Sequence, residues 1–198
     1  VKVRVLFALP LYIMKVTVEN KKGLNKDVKV FIDKKTMSTY MDEKYEEIKT
    51  TVNDVEYSKT IDPRLLASDF IRENLNLTGT HVGCEHGICG SCTIKIDGIT
   101  SRSCLKFAVQ LDGKKVETIE SFQEKKETRE ILEKFKANHS LQCGFCTPGF
   151  LMIIDELLKD NIRYSENDIR EALSGNLCRC TGYENIIKAA KQILGPKR

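Results

Sequence analysis

The sequence predicts an α+β protein, with a small mixed sheet and one crossing helix in its first part and four helices in its second part. Apolar and polar residues alternate in several short segments up to about residue 119, as expected of half-buried strands. From residue 131 onward, apolar residues recur at helical spacing instead. The polar stretch 121–128 between the two patterns is suited to a linker. We therefore expect an N-terminal extension over residues 1–43, a sheet domain over 44–122 and a helical domain over 123–198.

The predicted sheet begins with a hairpin. Alternation over residues 48–52 is followed by an Asn-Asp pair at 53–54 that can turn the chain, and an extended pattern resumes over 55–61. Two further short strands are predicted at 93–96 and 116–119, each beside an Asp-Gly turn. These segments are enough for a small mixed sheet.

The helices are predicted from apolar spacing and from start signals. Asp62 and Pro63 fit an N-cap followed by proline at the first helical position, which predicts one amphipathic helix over about 64–74. In the second part, the apolar residues that recur at helical spacing are Ile131, Leu132, Phe135, Phe150, Ile153, Ile154, Leu157, Leu158, Ile169, Ala172, Leu173, Ile186, Ile187, Ala190, Ile193 and Leu194. The predicted starts are Thr147-Pro148, Ser165 with Asp168, and Thr181 with Glu184 as a capping box, and Gly175 is a predicted stop.

The charge of the chain is concentrated in its first 43 residues. The whole chain has 32 Lys and Arg against 28 Asp and Glu, a net charge of +4. Residues 1–43 carry nine basic and five acidic side chains, so they hold the entire excess. A charge this small gives no reason to expect a nucleic-acid partner.

The extension also contains an apolar run, Val5–Met14, behind Lys2 and Arg4. The run is too short to span a membrane and no small-x-small cleavage site follows it, so we expect a strand or a poorly ordered segment rather than a signal peptide, and no membrane partner. We rank a mis-set start or disorder of the extension first, and docking of its basic residues on an acidic partner second.

Eight cysteines in a chain of this size require a chemical explanation. The first four, Cys84, Cys89, Cys92 and Cys104, have the form C-x4-C-x2-C-x11-C. The first three carry the plant-type ferredoxin spacing for a 2Fe-2S cluster. Nearby glycines at 83, 87 and 90 would let the loop turn its backbone N–H groups toward an anionic cluster. We expect the fourth cysteine to lie on a separate strand and to hold the loop to the sheet.

The other four cysteines, Cys143, Cys146, Cys178 and Cys180, have the form C-x2-C-x31-C-x-C. Two precede the predicted helix start at Thr147 and two lie between Gly175 and Thr181. Two antiparallel interhelix junctions can therefore present two thiolates each at one end of a helical bundle, near positive helix N-termini.

Disulfides, structural zinc and scattered free thiols are the alternatives to iron–sulfur binding for these cysteines. Disulfides need an oxidising compartment, and the sequence gives no export signal. A zinc-stabilised structural module would account for four thiolates, although the C-x4-C-x2-C loop differs from a typical zinc ribbon. Scattered free thiols would not fall into two quartets. The histidines His81, His86 and His139 are expected to be surface residues or neighbours of ligands. No Ser-His-Asp or paired-carboxylate arrangement stands out.

Three long motifs resemble one protein family. They are GCEHGICGSCT over 83–93, QCGFCTPGF over 142–150 and LSGNLCRCTGY over 173–183. Together they resemble the small, two-cluster iron–sulfur subunit of molybdenum hydroxylases, the group of xanthine oxidase, aldehyde oxidoreductase and carbon monoxide dehydrogenase. The resemblance covers about 44–195 and implies a β-grasp plant-type ferredoxin domain followed by an all-α four-helix domain, each with one 2Fe-2S cluster. The extension 1–43 is a departure from the family pattern.

The resemblance also implies partners and roles. The cluster at Cys143, Cys146, Cys178 and Cys180 would lie next to molybdopterin in a large catalytic subunit, with Gln142 and Cys180 hydrogen-bonding the pterin. The plant-type cluster would face FAD in a medium subunit. Electrons would pass from molybdenum through both clusters to FAD, in a heterotrimer or a dimer of heterotrimers, and this chain would break no bonds itself.

We therefore expect a cytoplasmic, non-catalytic electron-transfer subunit of a molybdenum-containing oxidoreductase, with an aldehyde as substrate of the complex. Carbon monoxide, purines and N-heterocycles are the alternative substrates. A zinc-stabilised structural module and a free-standing ferredoxin-like carrier are the alternatives of a different class.

Overall fold

A computed structural model describes the backbone of residues 2–8, 13–19 and 25–31, and the chain over residues 45–123, 126–160 and 162–195. It divides into two compact units, residues 1–45 and 46–198. In the first unit, β1 (Lys2–Ala8), β2 (Ile13–Glu19) and β3 (Asn25–Phe31) form an antiparallel sheet in sequence order. Of the two expectations for the apolar run 5–14, the strand is found in its described parts, while residues 9–12 lie outside the described residues.

In the second unit, five strands form one sheet in the order β5-β4-β8-β6-β7. The strands are β4 (Glu46–Val52), β5 (Val55–Ile61), β6 (Thr93–Ile96), β7 (Ile99–Arg102) and β8 (Lys115–Glu117). The pair β4–β8 is parallel and the other pairs are antiparallel. Positive φ angles at Asn53 and Asp54, 51° and 63°, close the predicted β4–β5 hairpin, which is confirmed.

The predicted helix over 64–74 is shorter than expected. The helical segment is α1 (Ala67–Asp69), continued by a π-helical turn (Phe70–Asn74), and its N-cap is Leu66. The backbone of Leu65 accepts from Ala108 N at 2.7 Å, and Leu66 forms an isolated β-bridge with Phe107. This pairing keeps residues 65–66 out of the helix, so the prediction of Asp62 as the helix N-cap is wrong.

The four helices predicted for the second part of the chain are confirmed. They are α2 (Lys126–Ala137), α3 (Thr147–Lys159), α4 (Glu166–Leu173) and α5 (Glu184–Leu194). Their apolar faces meet in one buried core that includes Phe135, Phe150 and Leu173. The sheet has its own core, which includes Ile48, Phe70 and Val116.

Only one of the three helix caps predicted for the second part of the chain forms as expected. Ser165 caps α4 in a capping box with Asp168. Helix α3 is preceded by Cys146 as N-cap, so Thr147 already lies inside the helix. Helix α5 begins after Tyr183, which adopts a left-handed conformation with φ 68°. The predicted Thr181–Glu184 capping box is therefore wrong, and the Thr181 hydroxyl has other contacts.

The predicted linker 121–128 is largely structured. A 3-10 turn covers Ile119–Gln123, and α2 begins at Lys126. Phe122 is 1% exposed and packs in the helical core, and its carbonyl accepts from Thr128 Oγ1 at 2.7 Å. An aromatic side chain within the polar stretch anchors the connection, so the linker prediction is wrong in this respect. We call residues 46–123 the sheet region and 126–195 the helical region. Among the helices of the described residues, none combines the length and apolar composition needed to cross a lipid bilayer.

Candidate iron-sulfur sites

The first cysteine quartet lies at one end of the sheet region. Cys84, Cys89 and Cys92 occupy the irregular chain between the π-helical turn and β6. Cys104 lies in a 3-10 turn, Ser103–Leu105, that follows β7 directly. The expectation of a separate strand for Cys104 is therefore corrected to a turn at the end of a strand. The turn still holds the loop, because Ser103 Oγ donates to the Cys92 carbonyl at 2.8 Å.

The thiols of this quartet differ in exposure and in their hydrogen bonds. The backbone N–H of Cys89 donates to Cys84 Sγ at 3.4 Å. The backbone N–H groups of Cys89 and His86 lower the pKa of Cys84 to about 6. Burial and the neighbouring Cys92 thiol raise the pKa of Cys104 to about 11. Cys84 and Cys89 are half-buried, and Cys92 and Cys104 are buried.

The second quartet lies where two interhelix connections meet. Cys143 and Cys146 directly precede α3, and Cys178 and Cys180 lie between α4 and α5. Cys180 Sγ lies 3.5 Å from Cys143 Sγ, and Cys146 and Cys178 are both buried. Cys143 and Cys180 are exposed. The predicted meeting of two junctions is thus found in the structure.

Burial and local hydrogen bonds shift the pKa values of the buried thiols Cys146 and Cys178 in opposite directions. Burial raises the pKa of Cys146 to about 12. Burial acts on Cys178 in the same direction, yet hydrogen bonds from Thr181 hold the pKa of Cys178 below its usual value. Thr181 Oγ1 lies 3.0 Å from Cys178 Sγ and accepts from Tyr183 N at 3.2 Å. The hydroxyl that was expected to cap α5 is therefore engaged with a candidate ligand.

Pairs of thiols fit a 2Fe-2S cluster, in which each of two irons takes two cysteines. Within the described ranges, no group of three or more His, Cys, Asp or Glu side chains converges on one point. All eight cysteines are free thiols. The all-cysteine donor set and the plant-type spacing of the first quartet favour iron–sulfur clusters.

Unpaired donors and close backbone approaches also fit such clusters. Asn176 Nδ2 and Thr147 Oγ1 are buried without a hydrogen-bond partner, and each is within two residues of a candidate ligand. Sulfur atoms of a cluster accept hydrogen bonds from such groups. Gly87 and Gly90 have φ of +84° and +75°, a conformation that favours glycine and lets the loop wrap closely.

The two quartets are in contact through the backbone. Leu177 N donates to the Cys89 carbonyl at 2.9 Å. Beside this bond, a side chain at Gly149 would overlap the carbonyl of Gly90 and lie 2.7 Å from Asn176 Nδ2. The loop of the first quartet therefore packs directly on the segment that carries Cys178.

An ion pair and a stacked ring pair also join the two regions. Lys95 of β6 forms a buried ion pair with Asp155 of α3. The His81 ring stacks on Phe145 with centroids 4.8 Å apart and contacts its carbonyl through Nδ1 at 2.8 Å. Two adjacent acidic residues, Asp155 and Glu156, interrupt the apolar run 150–158 and are the sequence signal for an ion pair there. Gln142 is exposed next to Cys143.

Comparisons with known proteins agree with this chemistry. A 2Fe-2S iron-sulfur cluster binding domain matches residues 32–139 and a [2Fe-2S] binding domain matches residues 118–191. The chain is 49% identical over 149 residues to caffeine dehydrogenase subunit gamma of Pseudomonas sp. strain CBB1, covering 74% of this chain and 89% of that one.

Solved structures are similar as well. Quinoline 2-oxidoreductase from Pseudomonas putida 86 matches with a TM-score of 0.71 and 45% identity, over 74% of this chain and 91% of that chain. Aldehyde oxidoreductase from Desulfovibrio gigas matches with a TM-score of 0.68 and 35% identity, over 73% of this chain and 16% of that chain. The chain therefore belongs to the family of small 2Fe-2S iron–sulfur subunits of molybdenum hydroxylases.

Proposed function

We propose that this chain is the non-catalytic electron-transfer subunit of a molybdenum-containing oxidoreductase complex. Its partners would be a large subunit that binds molybdopterin and a medium subunit that binds FAD, assembled as a heterotrimer or a dimer of heterotrimers. Electrons would pass from the molybdopterin through this chain to FAD. The observation that carries the proposal is the hydrogen bond from Leu177 N to the Cys89 carbonyl, which joins the two cysteine quartets.

Each quartet would hold one 2Fe-2S cluster, in a β-grasp plant-type ferredoxin domain over 44–122 and in a four-helix domain over 123–198. Bound there, the clusters would supply one-electron carriers. The described residues supply four cysteines per quartet, two of them buried in each, and buried donors without a partner close to the second quartet. Burial and hydrogen bonds to sulfur are the means by which a protein sets a cluster potential.

The backbone offers a short bonded route between the quartets. From Cys89 Sγ it runs along that residue to its carbonyl, crosses one hydrogen bond of 2.9 Å to Leu177 N, and continues into the adjacent Cys178. The route uses no mobile side chain beyond the two ligands. A fixed path of this kind suits repeated electron transfer better than two independently moving domains would.

The exposed side of the second quartet supports a docking role. Gln142, Cys143 and Cys180 are all exposed, with the apolar side chains of Phe145 and Leu177 exposed beside them. We propose that this surface faces the large subunit and that Gln142 and Cys180 hydrogen-bond the pterin. The loop of the first quartet would face the FAD subunit.

The substrate of the complex is a separate question, because another chain would bind it. An aldehyde is the substrate expected from the sequence, and aldehyde oxidoreductase from Desulfovibrio gigas is 35% identical to this chain. The relatives whose names carry N-heterocycles, caffeine dehydrogenase and quinoline 2-oxidoreductase, are 49% and 45% identical. This difference supports an N-heterocycle as a second candidate, and both classes belong in the substrate panel.

The test uses the complex purified with its partner subunits. We expect about four irons per copy of this chain and two distinguishable EPR signals after reduction. Cys89→Ser should remove one EPR signal and Cys178→Ser the other. Zinc without iron in the purified complex would overturn the proposal.

The same two variants test the order of transfer. After addition of substrate, Cys89→Ser should still show reduction of the helical-region cluster but slow reduction of FAD. Cys178→Ser should block reduction of the helical-region cluster and of FAD. The wild-type complex with the same substrate is the reference for both variants. Reduction of FAD at the wild-type rate in Cys178→Ser, or substrate oxidation by this chain alone, would contradict the proposed role.

A further inference from the structure

Arg102 is the one side chain at the end of β7 that contacts the surroundings of both quartets. Its guanidinium hydrogen-bonds Thr93 Oγ1, in the residue directly after Cys92. On the other side, Nη2 donates to the Gly175 carbonyl at 2.8 Å and to Asn176 Oδ1 at 3.0 Å. Asn176 is two residues before Cys178 and is 1% exposed. Arg102 therefore links a ligand-bearing segment of the sheet region to one of the helical region.

Among the described residues, this guanidinium forms no ion pair with a carboxylate. All its hydrogen-bond acceptors are neutral, and within the described residues no carboxylate lies at ion-pair distance from it. A half-buried cation without a carboxylate is unusual, because removal from water is costly unless an opposite charge is near. The segments that surround it carry the thiolates of two candidate anionic centres, so an anion is expected on both sides.

The hydrogen bonds also orient Asn176. Because Oδ1 accepts from Arg102, the amide turns its Nδ2 away, and this is the buried donor without a partner. Arg102 thus fixes the position of a donor that lies within two residues of Cys178. Arg102 therefore supplies both a positive charge and a hydrogen bond that orients the Asn176 amide.

We propose that Arg102 is a positioning residue shared by the two cluster sites, whose positive charge favours the reduced state of both. The inference rests on the proposed function, since it needs both clusters. A cluster held by four thiolates is anionic and gains one more negative charge when it takes up one electron from a reductant. A cation held between two such centres stabilises that added charge at each of them. Removal of the charge should therefore lower both reduction potentials.

The experiment is a dithionite titration with redox mediators, followed by EPR, on the purified complex. In Arg102→Gln, the ratio of reduced to oxidised cluster at a fixed potential should fall about tenfold at both sites, which is about 59 mV for a one-electron couple. Arg102→Lys keeps the charge and should stay within about threefold of wild type. The matched control is Arg72→Gln, since Arg72 donates to the Thr78 and Thr80 carbonyls of the sheet region alone. Arg72→Gln should leave the reduction potential of the helical-region cluster at its wild-type value.

The outcomes separate the inference from the proposed function. A wild-type complex without two clusters contradicts the proposed function itself. With both clusters present, a shift at neither site or at one site in Arg102→Gln overturns the inference, as does an equal shift in Arg102→Lys. If Arg102→Gln does not bind its clusters, the iron content of the two variants tests the inference instead. Loss of iron from both sites in Arg102→Gln, with both sites filled in Arg102→Lys, supports a shared cation. Loss of iron from one site only contradicts a shared cation.

Discussion

The buried ion pair between β6 and α3 allows a quantitative prediction about how the two regions are joined. The Lys95 side chain is 0% exposed and contacts Asp155, whose side chain is 5% exposed. Glu117 lies 3.8 Å from Lys95, and Lys159, 54% exposed, lies 3.5 Å from Asp155. The perturbation is a double-mutant cycle with Lys95→Met and Asp155→Leu.

The expected costs are unequal because the remaining partners differ. Removal of one partner from a buried pair costs about 3–5 kcal/mol, since the other charge is left uncompensated. Asp155→Leu leaves Lys95 with Glu117 alone, so a loss of about 4 kcal/mol is expected. Lys95→Met leaves Asp155 with Lys159 at the surface, so a loss of about 2 kcal/mol is expected. The double variant replaces both charges by apolar groups and should lie within about 1 kcal/mol of wild type.

The pH dependence has a defined sign. Burial lowers the pKa of Lys95, against the opposing effect of Asp155. Without Asp155, the folded state should bind the lysine proton still less well than the unfolded state, whose pKa is near the usual 10.5. The unfolded state then binds more protons between the two pKa values, so the stability of Asp155→Leu should rise with pH in that window.

The assay is urea unfolding of the cluster-loaded protein, followed by circular dichroism and by the visible absorbance of the clusters. Lys159→Met is the control, because an exposed partner contributes at most about 1 kcal/mol. Two single variants whose costs simply add in the double variant would refute the argument that the charges compensate each other across the two regions.

Three further predictions concern single residues. Thr181→Val removes the hydroxyl that contacts Cys178 Sγ, so the helical-region cluster should have a lower reduction potential in a redox titration. Gly149→Ala places a methyl group on the Gly90 carbonyl and should lower the free energy of unfolding by about 1–3 kcal/mol in urea. Hydrogen bonds from Lys191 and Arg170 lower the pKa of Glu166. Its contribution to the free energy of unfolding is therefore present above the usual pKa and is lost as the pH falls through the lowered pKa. In Glu166→Gln, the stability should fall less steeply with decreasing pH below about pH 4.5.

Each of these variants has a matched control. Thr181→Ser keeps the hydroxyl, so the helical-region cluster should keep its wild-type reduction potential. The reduction potential of the sheet-region cluster should stay unchanged in both Thr181 variants. A methyl group in Gly175→Ala would meet one side-chain atom, Arg102 Nη2 at 3.0 Å, and no backbone atom, so this variant should cost less than Gly149→Ala. Glu171→Gln alters an exposed carboxylate of the same helix and should keep the acid dependence of wild type. Equal behaviour of a variant and its control would contradict the corresponding argument.

Local patterns in the sequence predicted the elements that local interactions form. The hairpin at Asn53 and Asp54 follows from two residues that tolerate positive φ, and the cap at Ser165 follows from a capping box within four residues. The motifs likewise placed seven of the eight cysteines in loops beside regular elements, whereas Cys104, expected on a strand, lies in a turn directly after β7. These features depend on neighbours along the chain, and the sequence contains them in full.

Distant contacts account for the errors. The helix expected from residue 64 starts at Ala67 because residues 65–66 pair with the segment around Phe107, which is 40 residues away in the chain. Thr181 does not cap α5 because its hydroxyl contacts Cys178 and Tyr183 starts the helix in a left-handed conformation. Strand alternation gave no sign that Lys95 would be fully buried, since its partner Asp155 lies 60 residues further along.

The three motifs contain residues whose role becomes clear only in three dimensions. Gly90, Gly149 and Asn176 are not candidate ligands, yet each belongs to a different motif and all three meet at the contact between the quartets. Glycine is required at two of these positions because backbone approaches backbone there. The same contact brings Leu177 N to the Cys89 carbonyl. The motifs therefore specify two cysteine quartets and also the contact between them, which the proposed electron transfer would require to stay constant.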